Sequence, residues 1–120
     1  MKIISYNILE GMAADTSPDK RKFIEWVLAQ NTDILALQEA NRFTQASLNR
    51  LAQTYEHPYT LLSKETGYPV AITSRYPIER PQIILKPLTH GCLFAEVAGY
   101  RIVVLHLDPF SYKKRQDELS

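Results

Sequence analysis

Three residues of this sequence join a reactive side chain to the end of a short apolar run. Asn7 closes Ile3-Ile4-Ser5-Tyr6, Glu39 follows Ile34-Leu35-Ala36-Leu37-Gln38, and His106 follows Ile102-Val103-Val104-Leu105. Runs of this kind read as strands, and strand ends in α/β proteins are where sites commonly form. Glu39 is the sharpest of the three. A carboxylate emerging from a buried strand must be solvated, paired or bound to a cation. One carboxylate, completed by water and phosphate oxygens, suits Mg²⁺. A salt bridge to Arg42, or exposure in the following loop, would satisfy it equally. His106 has the chemistry of a general acid, a phosphate hydrogen-bond donor or a metal ligand, or it is a satisfied core histidine at a strand end. Asn7 can orient a ligand or phosphate, or form the turn that ends its strand.

Other residues carry less. Glu10, in Glu10-Gly11, reads as a turn residue that can face the same edge as Asn7. His57 and His90 stand beside Pro58 and Gly91 and read as loop residues, and Tyr6 reads as core. There is no Gly-rich phosphate loop, nucleophile elbow or helical His pair at metal-binding spacing.

The elements that must position these residues follow from the pattern. A strand covers 2–7. Ser17-Pro18 is a helix start, with Ser as N-cap and Pro at the first helical position. Phe23, Ile24, Val27 and Leu28 then recur at helical spacing, and Asn31 fits the exit. Ile34 to Leu37 is continuously apolar, as in a strand covered on both faces. Thr44 caps a second helix that carries Leu48, Leu51, Ala52 and Tyr55, and His57-Pro58 ends it. Short β-rich runs follow at 59–63, 69–73, 82–88, 92–98 and 101–106, with a hairpin turn at Ala98-Gly99-Tyr100-Arg101. Residues 111–120 are charged and can begin a helix. Helices early and antiparallel strands late give an α+β fold, a mixed or antiparallel sheet with helices on one face. The strand 101–106 is apolar on both sides and expects cover on both, which nothing further in the chain obviously supplies.

The totals set limits. One domain at most fits in 120 residues, and 45% hydrophobic with 22% charged residues is a globular profile. A net charge of +1 neither requires nor excludes a nucleic-acid substrate, although binding by backbone charge alone would call for more. Cys92 is the only cysteine, so no internal disulfide or cysteine zinc cluster forms. The N-terminus turns polar too soon for a signal peptide and no run spans a membrane, so a cytoplasmic location is expected.

Ile3-Ile4-Ser5-Tyr6-Asn7-Ile8 resembles the opening strand of the endonuclease/exonuclease/phosphatase (DNase I-like) superfamily. Asp33-Ile34-Leu35-Ala36-Leu37-Gln38-Glu39 is similar to its apolar strand ending in Gln-Glu. Residues 67–78 look like its strand and Ser-Arg-Tyr-Pro-Ile turn. Val103-Val104-Leu105-His106-Leu107, with Arg115 and Glu118 beyond, is similar to its His-Leu strand and following helix. The resemblance implies a fold in which two similar α+β halves make a two-sheet sandwich, this chain being the first half. It implies a phosphoester hydrolase working by in-line attack of water, with Mg²⁺ or Mn²⁺ bound by Glu39. Asn7 would support the metal-phosphate site, His106 would contact the scissile phosphate or assist proton transfer, and Arg115 would be a supporting or merely structural residue. The family's Asp-x-Asn and Asp-His motifs do not occur, so an incomplete, inactive N-terminal portion is expected. Leu9 stands where some members carry an Asp, which removes support for a DNA-repair specificity. The second reading is a non-catalytic binding or self-associating module that uses an uncovered sheet face.

Overall fold

A computed structural model describes residues 1–7, 18–41, 43–67, 69–84 and 92–105. The elements in order are β1 (Ile3–Asn7), α1 (Pro18–Gln30), β2 (Ile34–Gln38), α2 (Gln45–Gln53), β3 (Tyr59–Leu62), β4 (Ala71–Ser74), β5 (Ile78–Ile84), β6 (Cys92–Val97) and β7 (Tyr100–Leu105). The fold is α+β. β1 and β2 are parallel, which requires a crossover between them, and α1 is that crossover. β4 pairs antiparallel with β2 and with β3, giving a four-stranded sheet of order β1-β2-β4-β3. β5, β6 and β7 form a separate antiparallel sheet in chain order.

β2 explains the layering. Its alternate side chains go to opposite faces of the sheet. Leu35 and Leu37 face the helices and pack with Phe23, Val27, Leu48, Leu51 and Tyr55. Ile34 and Ala36 face the other way and pack with Leu93, Ala95, Val97, Ile102 and Val104. The molecule therefore has three layers: helices, a four-stranded sheet and a three-stranded sheet. This corrects the expectation that the chain holds nothing to cover the second sheet face, because β5–β7 fold back onto it. The doubly apolar β7 is covered on one side only: Ile102 and Val104 are buried, while Val103 is 54% exposed.

Local signals hold where their chemistry is specific. α1 begins at Pro18 and ends before Asn31, whose φ of 52° is the left-handed conformation that Asn tolerates at a helix exit. Thr44 caps α2 as expected, and Ser47 closes a reciprocal capping box with it. Thr44→Ala should cost about 1 kcal/mol, read as a shift in the urea midpoint, and Thr44→Ser should cost far less. The turn between β6 and β7 is Ala98-Gly99, with φ of 51° and 83°, the two positive values a tight two-residue hairpin turn needs. β5 starts at Ile78, earlier than the run at 82–88 suggests. Pro81 sits inside it, tolerated because β5 is an edge strand and the register slips there between Glu79 and Gln82.

A polar cluster joins the two helices' layer to the sheet. His57, expected as a loop residue, is fully buried. Its Nε2 lies 2.7 Å from the Thr32 carbonyl oxygen and its Nδ1 lies 2.8 Å from Thr73 Oγ1. Tyr55 Oη is 3.1 Å from the same Oγ1. A carbonyl only accepts, so Nε2 carries the proton and donates to Thr32. Nδ1 then accepts from the Thr73 hydroxyl, and Tyr55 donates to Thr73. Beside this cluster, Asp33 accepts from the Lys2 backbone N–H at 2.7 Å and pairs with Arg75 at 3.2 Å, which ties the starts of β1 and β2 to the end of β4.

Candidate metal centre at the strand ends

The parallel pairing brings two of the three expected residues to one edge. Asn7 and Gln38 are register partners at the last step of β1 and β2, and Glu39 follows directly. Two contacts clamp Glu39 on either side. Gln38 Nε2 donates to Ser5 Oγ at 2.9 Å, and the Ala40 N–H donates to the Pro69 carbonyl at 2.9 Å with Ala40 fully buried. Between these anchors Glu39 has φ of 55°, left-handed for a residue with a Cβ. Such a conformation costs about 1 kcal/mol or more and persists only where neighbours impose it, and it clusters at functional sites. The Glu39 side chain is half-buried.

Asn41, two residues on, was not singled out by sequence. Its Oδ1 is buried and has no hydrogen-bond donor among the described residues. A buried orphan acceptor calls for a cation or an ordered water. A carboxylate followed by a neutral hard oxygen is a donor set that fits Mg²⁺, which keeps most of its shell for water and phosphate. Among the described residues, no three His, Cys, Asp or Glu gather into a metal-binding group.

The remaining sequence expectations, His106, Glu10 and Arg115, lie outside the described residues, as does Arg42, the alternative partner for Glu39; the Asn7 side chain does too. The direction of β7 is nevertheless fixed by its neighbours. β4 ends at Ser74, the register partner of Ile34, and β5 begins four residues later. Ile78, Val97 and Tyr100 therefore share the Ile34 end of the molecule, and Ile84, Cys92 and Leu105 lie at the other end. β7 thus runs the same way as β1 and β2, and the chain leaves Leu105 toward the end where Glu39 sits.

The match to the Endonuclease/Exonuclease/phosphatase family spans residues 4–115, and the chain belongs to that family. No curated protein sequence matches it. Among solved structures, it superposes on a 3′-5′ exonuclease from Neisseria meningitidis with a TM-score of 0.68 and 24% identity, over 99% of this chain and 48% of that one. An AP endonuclease from Archaeoglobus fulgidus gives 0.64 and 22%, over 86% and 39%. An endonuclease/exonuclease/phosphatase from Beutenbergia cavernae gives 0.69 and 16%, over 98% and 42%. These likenesses show the fold. The chain spans about two-fifths to one-half of each of these structures. Among the described residues, no helix is long and apolar enough to cross a membrane.

Proposed function

We propose that this chain provides the metal-binding half of a divalent-metal-dependent phosphoester hydrolase. The observation that carries the reading is Glu39, held in a left-handed conformation at the exit of a strand buried on both faces and next to the end of β1. A fold has no structural use for a strained carboxylate at a buried strand end, whereas a metal site does. Family membership supports the same reading.

Glu39 would hold Mg²⁺ or Mn²⁺, with Asn41 Oδ1 completing the protein's share of the shell directly or through water. The bound ion would supply electrostatic stabilisation of charge developing on the phosphate oxygens. Asn7 would orient the phosphate by hydrogen bonding. His106 would donate a hydrogen bond to it or move a proton at the leaving oxygen. Glu10 and Arg115 would support the site from its rim. The residue that activates the attacking water is not among these, so the 120-residue chain alone should show no meaningful turnover. The substrate class is a phosphate ester.

The test is a titration of Mg²⁺ and Mn²⁺ into the chain and into Glu39→Gln, followed by backbone NMR. Saturable shifts at Asn7, Glu39 and Asn41 are expected, and they should vanish in the variant. Saturable shifts that survive Glu39→Gln, or that centre elsewhere, would overturn the assignment.

A further inference from the structure

We propose that the chain forms a two-fold homodimer in which β7 of each copy pairs with β1 of the other, extending both sheets at once. The four strand edges of the molecule are unlike one another. The free edge of β3 is closed by α2: the Leu62 N–H donates to Gln45 Oε1 at 3.0 Å, and Thr60 Oγ1 bonds both Gln45 and Asn49. The free edge of β5 carries Pro81, a register slip and Arg80 at φ 50°, all devices that discourage strand addition. Among the described residues, β1 and β7 carry none of these. β7 keeps unbroken register with β6 over six pairs, and β1 keeps it with β2 over five, so both present straight, unguarded edges.

The two open edges lie on the same side. β5 packs against β3 and β7 against β2, so the fourth strand, β1, has no strand of the smaller sheet opposite it. Tyr6 stacks on Phe23 and Trp26 beneath α1, and Ile4 also packs on the helix side. Ile3 and Ser5 therefore point into the missing place, and Ile3 is 43% exposed. One strand beside β7 would fill that place.

A second copy supplies it by symmetry. A two-fold axis perpendicular to the sheets would drive the partner's β2 into β1. An axis running between the sheets, along the strands, sets the partner's β1 beside β7 and the partner's β7 beside β1 with no overlap. β1 and β7 run the same way, so both new pairs are parallel. The contact is isologous and closes on itself. Ile3 then faces its own copy across the axis, and Val103 meets the partner's helix-covered face. Because the axis follows the strands, both copies deliver Glu39 to the same end, so two half-sites would share one cleft. That last consequence rests on the metal-site reading; the assembly does not.

Sedimentation equilibrium of the chain, in chelator, is the experiment. A species of twice the 13.8 kDa chain mass is expected. Ile3→Lys buries like charges at the axis and should weaken dimerisation by a hundredfold or more, on the order of 3 kcal/mol. Val103→Lys should weaken it too, whereas Ile83→Lys, exposed on the guarded β5, should leave it unchanged. Circular dichroism confirms that each variant is folded. A monomeric wild-type chain, or a dimer indifferent to both Ile3→Lys and Val103→Lys, overturns the proposal. Because no metal is present, either result leaves the Glu39 titration standing on its own.

Discussion

Thr73→Val should destabilise the fold by about 2–5 kcal/mol, although it exchanges two side chains of nearly equal shape. The Thr73 hydroxyl has no exposure and serves two buried neighbours, donating to His57 Nδ1 and accepting from Tyr55. Valine fills the same space and answers neither, and each buried group left unsatisfied costs about 1–3 kcal/mol. Thr73→Ser keeps the oxygen and loses one methyl, so it should cost only about 1 kcal/mol. Urea denaturation of the three chains compares them directly. A valine variant within 1 kcal/mol of the parent would show that the cluster is not the tie between α2's exit and the sheet described above.

The same cluster should make the fold acid-sensitive well above the carboxylate range. Burial pushes the His57 pKa down, and the Arg75 guanidinium adds to this. The hydrogen bonds to Thr32 and Thr73, and the Asp33 carboxylate, oppose it. The folded chain therefore holds His57 neutral at pH values where the unfolded chain has protonated it. The unfolded state binds more protons, so stability rises with pH. The full contribution is present above about pH 6.5. It is lost as pH falls below that value toward the depressed folded pKa, at up to about 1.4 kcal/mol per pH unit. Protonating Nδ1 in place would also require the Thr73 hydroxyl to turn around, with Tyr55 following. Asp33 adds a second acid-labile element. The Lys2 backbone N–H, with Arg75 and the N-terminus, holds its carboxyl below the usual range, so its contribution persists until pH falls below about 4. Urea midpoints taken from pH 7.5 down to pH 5 should decline steadily in the parent and far less steeply in His57→Gln. A flat profile in the parent over that interval would contradict the neutral, Nε2-protonated assignment.

Much of the architecture was legible because it rested on local chemistry. Ser17-Pro18, Asn31 and Thr44 set helix ends whatever lies across the fold, and the uninterrupted Ile34–Leu37 run required cover on both faces. What supplies that cover was not legible. The alternation in β6 and β7 says that one face is buried, but not that it is buried against β2. That pairing depends on where the chain returns after the Arg75-Tyr76-Pro77 turn. His57 was misjudged for a related reason. Its neighbour Pro58 ends a helix, as loop residues do, but Thr32 and Thr73, which receive its ring, are distant in sequence. At the candidate site, strand-end position drew attention to Asn7 and Glu39, and the structure sets their backbones side by side. Asn41 escaped because an amide in a loop has no pattern of its own; only its buried, unanswered oxygen distinguishes it.

β2 has a bearing on how this molecule comes apart. Its five residues are the only lining shared by both cores, with Leu35 and Leu37 in one and Ile34 and Ala36 in the other. Neither core can melt and leave the other intact, because loss of either releases the strand that walls its neighbour. The helices, the four-stranded sheet and the three-stranded sheet therefore make a single cooperative unit rather than layers that peel in turn. A cavity opened on one face of β2 is paid for on both, so damage next to α1 would reach Val104, on the far side of the sheet, without any path of direct contacts.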